Sequence, residues 1–216
     1  MIKVENTVLV LLAAGKSERF GDVGSKLDEE FLGKPLGLHV AVTLEDMPFK
    51  ERIAVVRNCA IDYARHGFRV LRNDDPVGDM ASSVRRGVAC AKELGADAVL
   101  FALADMPRVT AAHVDRLFDV ARDERGVVSS SDGVATKPPA LFGSKHLDFL
   151  LRLQGDQGAR DMIATGHYVV TDPAELIDVD TREDLEELRA CPLARRDHSC
   201  RSASIGLSAA ARLAGK

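Results

Sequence analysis

The segment that decides the fold reads Thr7-Val8-Leu9-Val10-Leu11-Leu12, followed by Ala13-Ala14-Gly15-Lys16-Ser17-Glu18-Arg19-Phe20-Gly21. Its apolar half is too short for a typical helix and rich in β-forming residues, so we predict a strand that is buried on both faces. Short runs of the same kind recur at residues 52–56, 68–71 and 98–103. The sequence therefore predicts a series of buried strands.

Segments with helical spacing separate these runs, at residues 35–46, 81–94 and 111–125. Pro35 suits a first helical turn, and Thr110 suits an N-cap. Strands that alternate with helices of this length indicate a three-layer α/β/α fold around a mostly parallel, Rossmann-like sheet. Because ligands of such sheets bind at the carboxyl ends of the strands, the loops after Leu12, Leu71 and Leu103 are the candidate site.

The pattern changes after Gly126. Residues 129–133 predict a turn-rich loop, and we exclude Thr136-Lys137-Pro138-Pro139 from a central strand because proline lacks the amide donor of the ladder. Further predicted elements are short helices at 144–153 and 158–165, a strand at 167–170, and a last helix within 178–189 that is capped by Thr181 and Asp184. We expect a single domain at residues 1–190 and a mobile tail at 191–216, where Arg, Ser, Ala and Gly predominate.

Composition excludes several classes of protein. The 216 residues carry 33 acidic and 29 basic side chains, which argues against a dedicated nucleic-acid binder. No apolar run approaches the roughly 20 residues of a membrane helix, and residues 1–6 are too charged for a signal peptide. The four cysteines form no C-x-x-C pair, which favours reduced thiols over a disulfide or zinc framework. We expect a cytoplasmic protein with neither nucleic acid nor membrane as partner.

The loop after the first strand has the parts of a triphosphate cradle. Gly15 and the small residues before it allow a tight turn that points backbone N–H groups at an anion, and Lys16, Arg19 and Lys26 add positive charge. A Walker A loop would need glycine at Val10, and the G-x-G-x-x-G spacing of dinucleotide-binding loops does not occur. The alternative is an ordinary solvated turn.

Two further positions carry candidate ligands. Asp105 follows the apolar run at 98–103, at a strand end where a carboxylate can hold Mg²⁺ beside substrate phosphates. It could also simply start the turn into Pro107. Ser82 and Ser83 begin the second predicted helix, whose free N–H groups and hydroxyls can recognise a base or a phosphate. Ordinary N-capping is the alternative for these serines.

Residues 12–21 together with Ser25-Lys26-Leu27 resemble the signature L-A-A-G-x-S-x-R-[FM]-G-x-x-K-L of the MobA-like nucleotidyltransferases, and most closely that of the molybdenum cofactor cytidylyltransferases. Five further blocks resemble this family in its order: residues 31–36, 78–87, 103–107, 153–160 and 178–185. Arg182 replaces a usual proline, which we expect to matter little. Lys137-Pro138-Pro139-Ala140-Leu141-Phe142 departs from the family's G-x-P-V-L-F, and this departure concerns the acceptor side.

The resemblance implies a fold of the nucleotide-diphospho-sugar transferase type and Mg²⁺-dependent transfer of CMP from CTP to the phosphate of molybdopterin, with release of pyrophosphate. It implies a molybdoenzyme or its chaperone as a further partner. The implied residues are Lys16, Arg19, Lys26 and Asp105 for catalysis; Leu12, Ala13, Ala14, Gly15, Lys16, Arg19, Lys26, Gly78, Ser82 and Ser83 for the nucleotide; Asp105 and Asp180 for the metal; and Lys137, Pro138, Gly158 and Arg160 for the acceptor.

Two rival functions stay open. One is a nucleotidyltransferase of the same fold that acts on a sugar phosphate, a polyol phosphate or another small acceptor. The other is a non-catalytic protein that binds a nucleotide and delivers a cofactor. The presence of both Lys26 and Asp105 favours an enzyme, because a protein that only binds nucleotide would not need to keep both.

Overall fold

The computed structural model describes residues 1–17, 19–21, 24–155 and 158–190. Helices and strands follow one another along the chain as β1 (Thr7–Ala13), β2 (Glu30–Phe31), β3 (Lys34–Pro35), α1 (His39–Thr43), β4 (Glu51–Val56), β5 (Arg69–Arg72), α2 (Met80–Glu93), β6 (Ala98–Leu103), α3 (Ala111–Val120), β7 (Val127–Ser131), β8 (Thr136–Gly143), α4 (Leu147–Leu150), α5 (Gly158–Thr165), β9 (His167–Val170) and α6 (Arg182–Ala190). Short 3-10 turns join several of them.

The centre of the fold is one mostly parallel sheet with the strand order β5-β4-β1-β6-β8-β7-β9. Only β8 runs against its neighbours, β6 and β7. Alternate side chains of β1 face opposite ways: Leu9 and Leu11 belong to the core under α1 and α3, whereas Val8 and Val10 belong to the core under α2, α4 and α5. The three-layer α/β/α prediction is confirmed.

Two predicted helices are shorter than their apolar spacing suggests. The helix expected at 35–46 is α-helical only over α1, and Leu36–Leu38 before it form a 3-10 turn. The Gly37 carbonyl in this turn accepts a hydrogen bond from the Tyr63 hydroxyl at 3.0 Å. The helix expected at 111–125 ends with α3 at Val120, where Ala121 turns to extended backbone. Its predicted N-cap is confirmed, since the Thr110 hydroxyl accepts from the His113 amide at 3.2 Å.

The loop predicted at residues 129–133 is wrong for its first three residues. Residues 129–131 belong to β7, and Ser129 and Ser130 are fully buried in the sheet. The Ser130 hydroxyl donates to the Pro139 carbonyl at 2.9 Å, and the Ser129 hydroxyl lies 3.5 Å from the Ile163 carbonyl. Serine can occupy a buried strand here because its polar group finds partners inside the core.

The exclusion of Thr136-Lys137-Pro138-Pro139 from a central strand is also wrong, since this segment opens β8 between β6 and β7. The register against β7 slips at this point: Ser129 lies opposite Ala140, but Ser130 lies opposite Lys137. Both prolines fall within the slip, and the pairing with β6 begins only at Ala140. Proline is tolerated because no ladder donor is required there.

The strand directions place the predicted site at one edge of the sheet. β1, β4, β5 and β6 are parallel, so the residues that follow them emerge together at their carboxyl ends. β8 is antiparallel to β6, so its first residues, among them Lys137, reach the same edge. The glycine loop, Asp105 and the start of α2 therefore share this edge.

The remaining sequence predictions concern chain organisation. The tail predicted at 191–216 lies outside the described residues, and the division at residue 190 stays a prediction. Cys59 and Cys90 are free thiols, and Cys191 and Cys200 lie outside the described part. None of the helices in the described ranges has the length and apolar character needed to cross a membrane.

A buried polar network joins α3 to the sheet. His113 on α3 is fully buried, with its Nε2 at 2.6 Å from the Ser130 hydroxyl and its Nδ1 at 3.1 Å from the Arg116 guanidinium. Because Arg116 can only donate, Nδ1 accepts and Nε2 carries the proton. Burial lowers the pKa of His113, Arg116 lowers it further, and Glu175 opposes them. The folded protein thus keeps this histidine neutral.

Lowering the pH from 7.5 to 5.5 is expected to reduce the free energy of unfolding by about 1 kcal/mol through His113 alone. In this range the unfolded chain takes up a proton near pH 6.5 that the folded His113 binds less readily because its pKa is lowered, so stability rises with pH. His39, whose pKa burial also lowers, acts in the same direction. Urea unfolding at both pH values measures the effect. His113→Gln should flatten the pH dependence and His146→Gln, a surface control, should not; equal slopes in the two variants would contradict the assignment.

Candidate active site

The loop after β1 folds back onto the 3-10 turn Lys26–Asp28. The Ser17 hydroxyl accepts from the Lys26 amide at 3.2 Å, and the Ser17 carbonyl accepts from the Phe20 amide at 2.9 Å. Gly15 is exposed, and a Cβ built there would have no described atom within 4 Å. The loop therefore presents an open surface at Gly15, and its role as a triphosphate cradle stays a prediction. Glu18, Asp22 and Val23 lie outside the described residues.

Lys26 joins two carboxylates that are far apart in the sequence. Its ammonium lies 2.8 Å from Asp105 Oδ2 and 2.9 Å from Asp180 Oδ1, and its side chain is only 8% exposed. Arg19 Nη1 lies 3.0 Å from the other oxygen of Asp180. The structure thus brings together four predicted residues, Arg19, Lys26, Asp105 and Asp180, which we call the carboxylate cluster.

The backbone holds both carboxylates of the cluster in place. The Val179 amide donates to the Asp105 carbonyl at 3.0 Å, which places Asp180 beside Asp105. Asp184 Oδ2 accepts from the amides of Asp180 and Thr181 at 2.9 and 2.7 Å, and the Thr181 hydroxyl accepts from the Asp184 amide at 3.1 Å. This reciprocal cap at the start of α6 confirms the predicted capping pair.

The donor set of the cluster fits a divalent cation. Asp105 Oδ1 is buried without a hydrogen-bond partner among the described residues, and burial raises the pKa of Asp105 although Lys26 opposes the shift. Mg²⁺ commonly uses one or two carboxylates and takes its other ligands from phosphates and water. No three metal-binding side chains converge anywhere in the described ranges. An ion held here would therefore depend on substrate oxygens as well as on Asp105 and Asp180.

The N-terminus of α2 faces the same edge, but the hydroxyls of its two serines are already hydrogen-bonded to other residues of the chain. Ser82 and Ser83 are buried, and both hydroxyls accept from the Asn73 side-chain amide at 2.9 Å. The Ser82 hydroxyl donates to the Asp79 carbonyl at 2.7 Å, and the cap of the helix is Asp79, whose carboxylate accepts from the Ser82 amide at 2.7 Å. A contact of these serines with the nucleotide stays a prediction.

Sequence reasoning missed Asn73 and Arg57, which directly follow β5 and β4. Arg57 Nη1 donates to the Asp75 carbonyl at 3.1 Å and passes so close to Gly78 that a Cβ there would lie 1.3 Å from it. Gly78 also has φ of +54°, which favours glycine. Gly78 therefore makes room for Arg57. The signal that could have found both residues is their position at the carboxyl ends of strands.

Arg182, in the first turn of α6, contacts Phe20 in the loop after β1. Its guanidinium lies 5.4 Å from the centre of the Phe20 ring, and its Nε donates to the Phe20 carbonyl at 3.3 Å. Phe20 in turn packs in a small core with Val179 and Leu185. Arg182 therefore contacts the loop that carries Arg19, and the expectation that this departure from the family pattern matters little stays a prediction.

The predicted acceptor residues are less closely assembled. Lys137 Nζ pairs with Asp132 Oδ2 at 3.2 Å, and amide donors from Ala135 and Val134, together with Lys137, hold the pKa of Asp132 at about 2. Pro138 is half-buried in the register slip, and Gly158 and the exposed Arg160 open α5. Asp156 and Gln157 lie outside the described residues. A common role for these four residues stays a prediction.

Comparison with known proteins identifies the family. The model of the MobA-like NTP transferase domain matches residues 9–176, which is more than half of the chain. The chain belongs to the MobA-like NTP transferase family. A relative of this MobA-like protein is the purine catabolism protein PucB of Bacillus subtilis (strain 168), which is 30% identical over 197 residues that cover 83% of this chain and 94% of PucB.

Solved structures show the same fold. Rv0371c from Mycobacterium tuberculosis H37Rv superimposes with a TM-score of 0.71 at 24% identity and covers 86% of this chain and 98% of its own. The nucleotidyl transferase Mth528 from Methanothermobacter thermautotroptrophicus gives 0.66 at 23% identity, with 85% and 96% covered. A manganese complex of Rv0371c gives 0.68 at 22% identity, with 86% and 99% covered. With the family match, this MobA-like chain is a nucleotidyltransferase whose substrate is a nucleoside triphosphate.

Proposed function

We propose that this protein transfers CMP from CTP to the phosphate of molybdopterin, with Mg²⁺ and with release of pyrophosphate, in the cytoplasm. The observation that carries the proposal is the carboxylate cluster, in which Lys26 lies within 3 Å of both Asp105 and Asp180, next to the open loop at Gly15. Cations and carboxylates at one strand edge are what a triphosphate and a divalent ion require together.

The chemistry follows from these groups. An oxygen of the acceptor phosphate attacks the α-phosphorus of the nucleotide, a new P–O bond forms, and the bond to the β-phosphate breaks so that pyrophosphate leaves. Lys16, Arg19 and Lys26 bind the triphosphate and neutralise its charge, while the backbone of residues 13–15 orients it. Asp105 and Asp180 would hold the metal, which supplies further charge neutralisation at the phosphates. No covalent bond to the protein is needed.

The finer parts of the proposal have separate support. CTP is supported by the resemblance of residues 78–87 to the cytidylyltransferase pattern, and a divalent metal by the manganese complex of Rv0371c. The name of PucB comes from purine catabolism, which makes a catabolic molybdoenzyme or its chaperone a reasonable recipient of the product. Residues 137–142 depart from the cytidylyltransferase pattern, and the Lys137 ammonium is already paired with Asp132. Both observations favour a second candidate, a transferase that acts on another small phosphate acceptor.

The deciding experiment measures pyrophosphate release with Mg²⁺ and each of the four nucleoside triphosphates, with and without purified molybdopterin. We expect release with CTP only when molybdopterin is present, and none after removal of the metal with EDTA. Release that requires a sugar or polyol phosphate in its place would establish the rival transferase. Tight CTP binding without turnover on any acceptor would point to a cofactor-delivery protein.

A further inference from the structure

The position of the Lys26 ammonium carries an inference about the order of binding. It lies between Asp105 Oδ2 and Asp180 Oδ1, at 2.8 and 2.9 Å, and is almost completely removed from solvent. These two carboxylates are the groups that would hold a divalent cation. A cation of the chain itself thus lies between them.

In this arrangement both carboxylates are already paired with cations of the chain itself. Asp105 and Asp180 face Lys26 and Arg19, so the formal charges of the carboxylate cluster cancel. A divalent ion that entered alone would have to displace a buried ammonium from two short contacts with carboxylates. A triphosphate reverses this balance, because it offers Lys26 and Arg19 new anionic partners and leaves the two carboxylates without their cations.

We infer that the Lys26 ammonium occupies the position of the metal when no nucleotide is bound. A bound triphosphate then frees this position, because Lys26 pairs with its phosphates instead of with the two carboxylates. The metal and the nucleotide then enter together, and neither carboxylate is left unpaired in between. Asp105 Oδ1, which is buried without a partner among the described residues, is the oxygen that gains a ligand when the site opens. This inference rests on the proposed function for the identity of the metal site.

The test is a titration with Mn²⁺ alone, followed by electron paramagnetic resonance, on protein without nucleotide. Wild type is expected to bind Mn²⁺ weakly, and Lys26→Met to bind it at least about tenfold more tightly, because its site keeps both carboxylates and loses the competing charge. Lys26→Gln, which keeps a hydrogen-bond donor for the carboxylates, should show the same gain if Lys26→Met folds poorly. Thermal unfolding provides a second readout, in which Mn²⁺ stabilises the Lys26 variants more than wild type.

Two controls make the result specific. Lys145→Met removes the same charge at the opposite edge of the sheet, where Lys145 pairs with Glu124 at 3.4 Å, and should leave Mn²⁺ binding at the wild-type level. Adding Asp105→Asn to Lys26→Met should abolish the gain. Wild-type protein that binds Mn²⁺ as tightly as Lys26→Met, or a gain that survives the double substitution, would overturn the inference.

A second arm tests the coupling to nucleotide. Mn²⁺ should raise the affinity of wild-type protein for CTP at least about tenfold, and by linkage CTP should raise the affinity for Mn²⁺ by the same factor. Independent binding of the two would refute the opening step. The Mn²⁺ titration contains neither nucleotide nor acceptor, so it reports on Lys26 even if pyrophosphate release with CTP and molybdopterin fails.

Discussion

Asp105→Asn is expected to lower metal-dependent pyrophosphate release by about 10³-fold. A metal ion that neutralises the charge developing on the phosphates stabilises the transition state by several kcal/mol, and the variant would lose this stabilisation. The amide keeps the shape of Asp105 but loses the charge that a divalent cation needs. Lys26 keeps its contact with Asp180 Oδ1 at 2.9 Å, and the amide oxygen of the variant can still accept from Lys26, so the fold should survive. Steady-state pyrophosphate release and thermal unfolding of the same preparation measure the two effects.

The matched control for this prediction is Asp148→Asn. Asp148 is an exposed carboxylate that pairs with Lys92 on the surface, away from the carboxylate cluster. It should keep wild-type turnover, since it loses the same charge without touching the site. A folded Asp105→Asn variant with wild-type turnover would disprove the assignment of Asp105 as a metal ligand.

Asn73→Ala is expected to destabilise the protein by about 3 kcal/mol, or roughly 6–10 °C in melting temperature. The Asn73 side chain is buried, donates to the hydroxyls of Ser82 and Ser83 at 2.9 Å, and accepts from the Asp75 amide at 3.2 Å. Removing it takes the amide donor from two buried hydroxyls and the acceptor from a partly buried backbone amide at once. Because the N-terminus of α2 lies at the edge of the active site, the KM for nucleotide should rise as well.

Two companion variants separate the contacts of Asn73. Asn73→Asp keeps the acceptor for the Asp75 amide but loses both donors, so it should destabilise less than alanine and still raise the KM. Ser83→Ala in the Asn73→Ala background should cost little more, because the hydroxyl has already lost that donor. Fully additive effects of Asn73→Ala and Ser83→Ala would show that the two side chains do not act as a unit.

Much of the fold follows from local pattern. The strand at 98–103, the strand at 167–170 and the capping pair of Thr181 and Asp184 occur as predicted, because each depends on burial or hydrogen bonds within a few residues. The strands after Gly126 were harder to predict from local pattern. The Ser130 hydroxyl finds its partners in His113 and the Pro139 carbonyl, which lie on other elements. The prolines of β8 fall in a register slip where no ladder donor is required.

For the active site, the amino-acid sequence alone determined which residues are chemically equipped: a small-residue loop with Lys16, Arg19 and Lys26, and carboxylates at 105 and 180. Only the tertiary structure decided how they are paired. It placed Lys26 between Asp105 and Asp180, made Asp79 the N-cap of α2, and brought Arg182 into contact with the Phe20 carbonyl. Residue type and local spacing carry the chemistry of a side chain. Its partners are set by which strand ends meet at the edge of the sheet, and that depends on the packing of the whole chain.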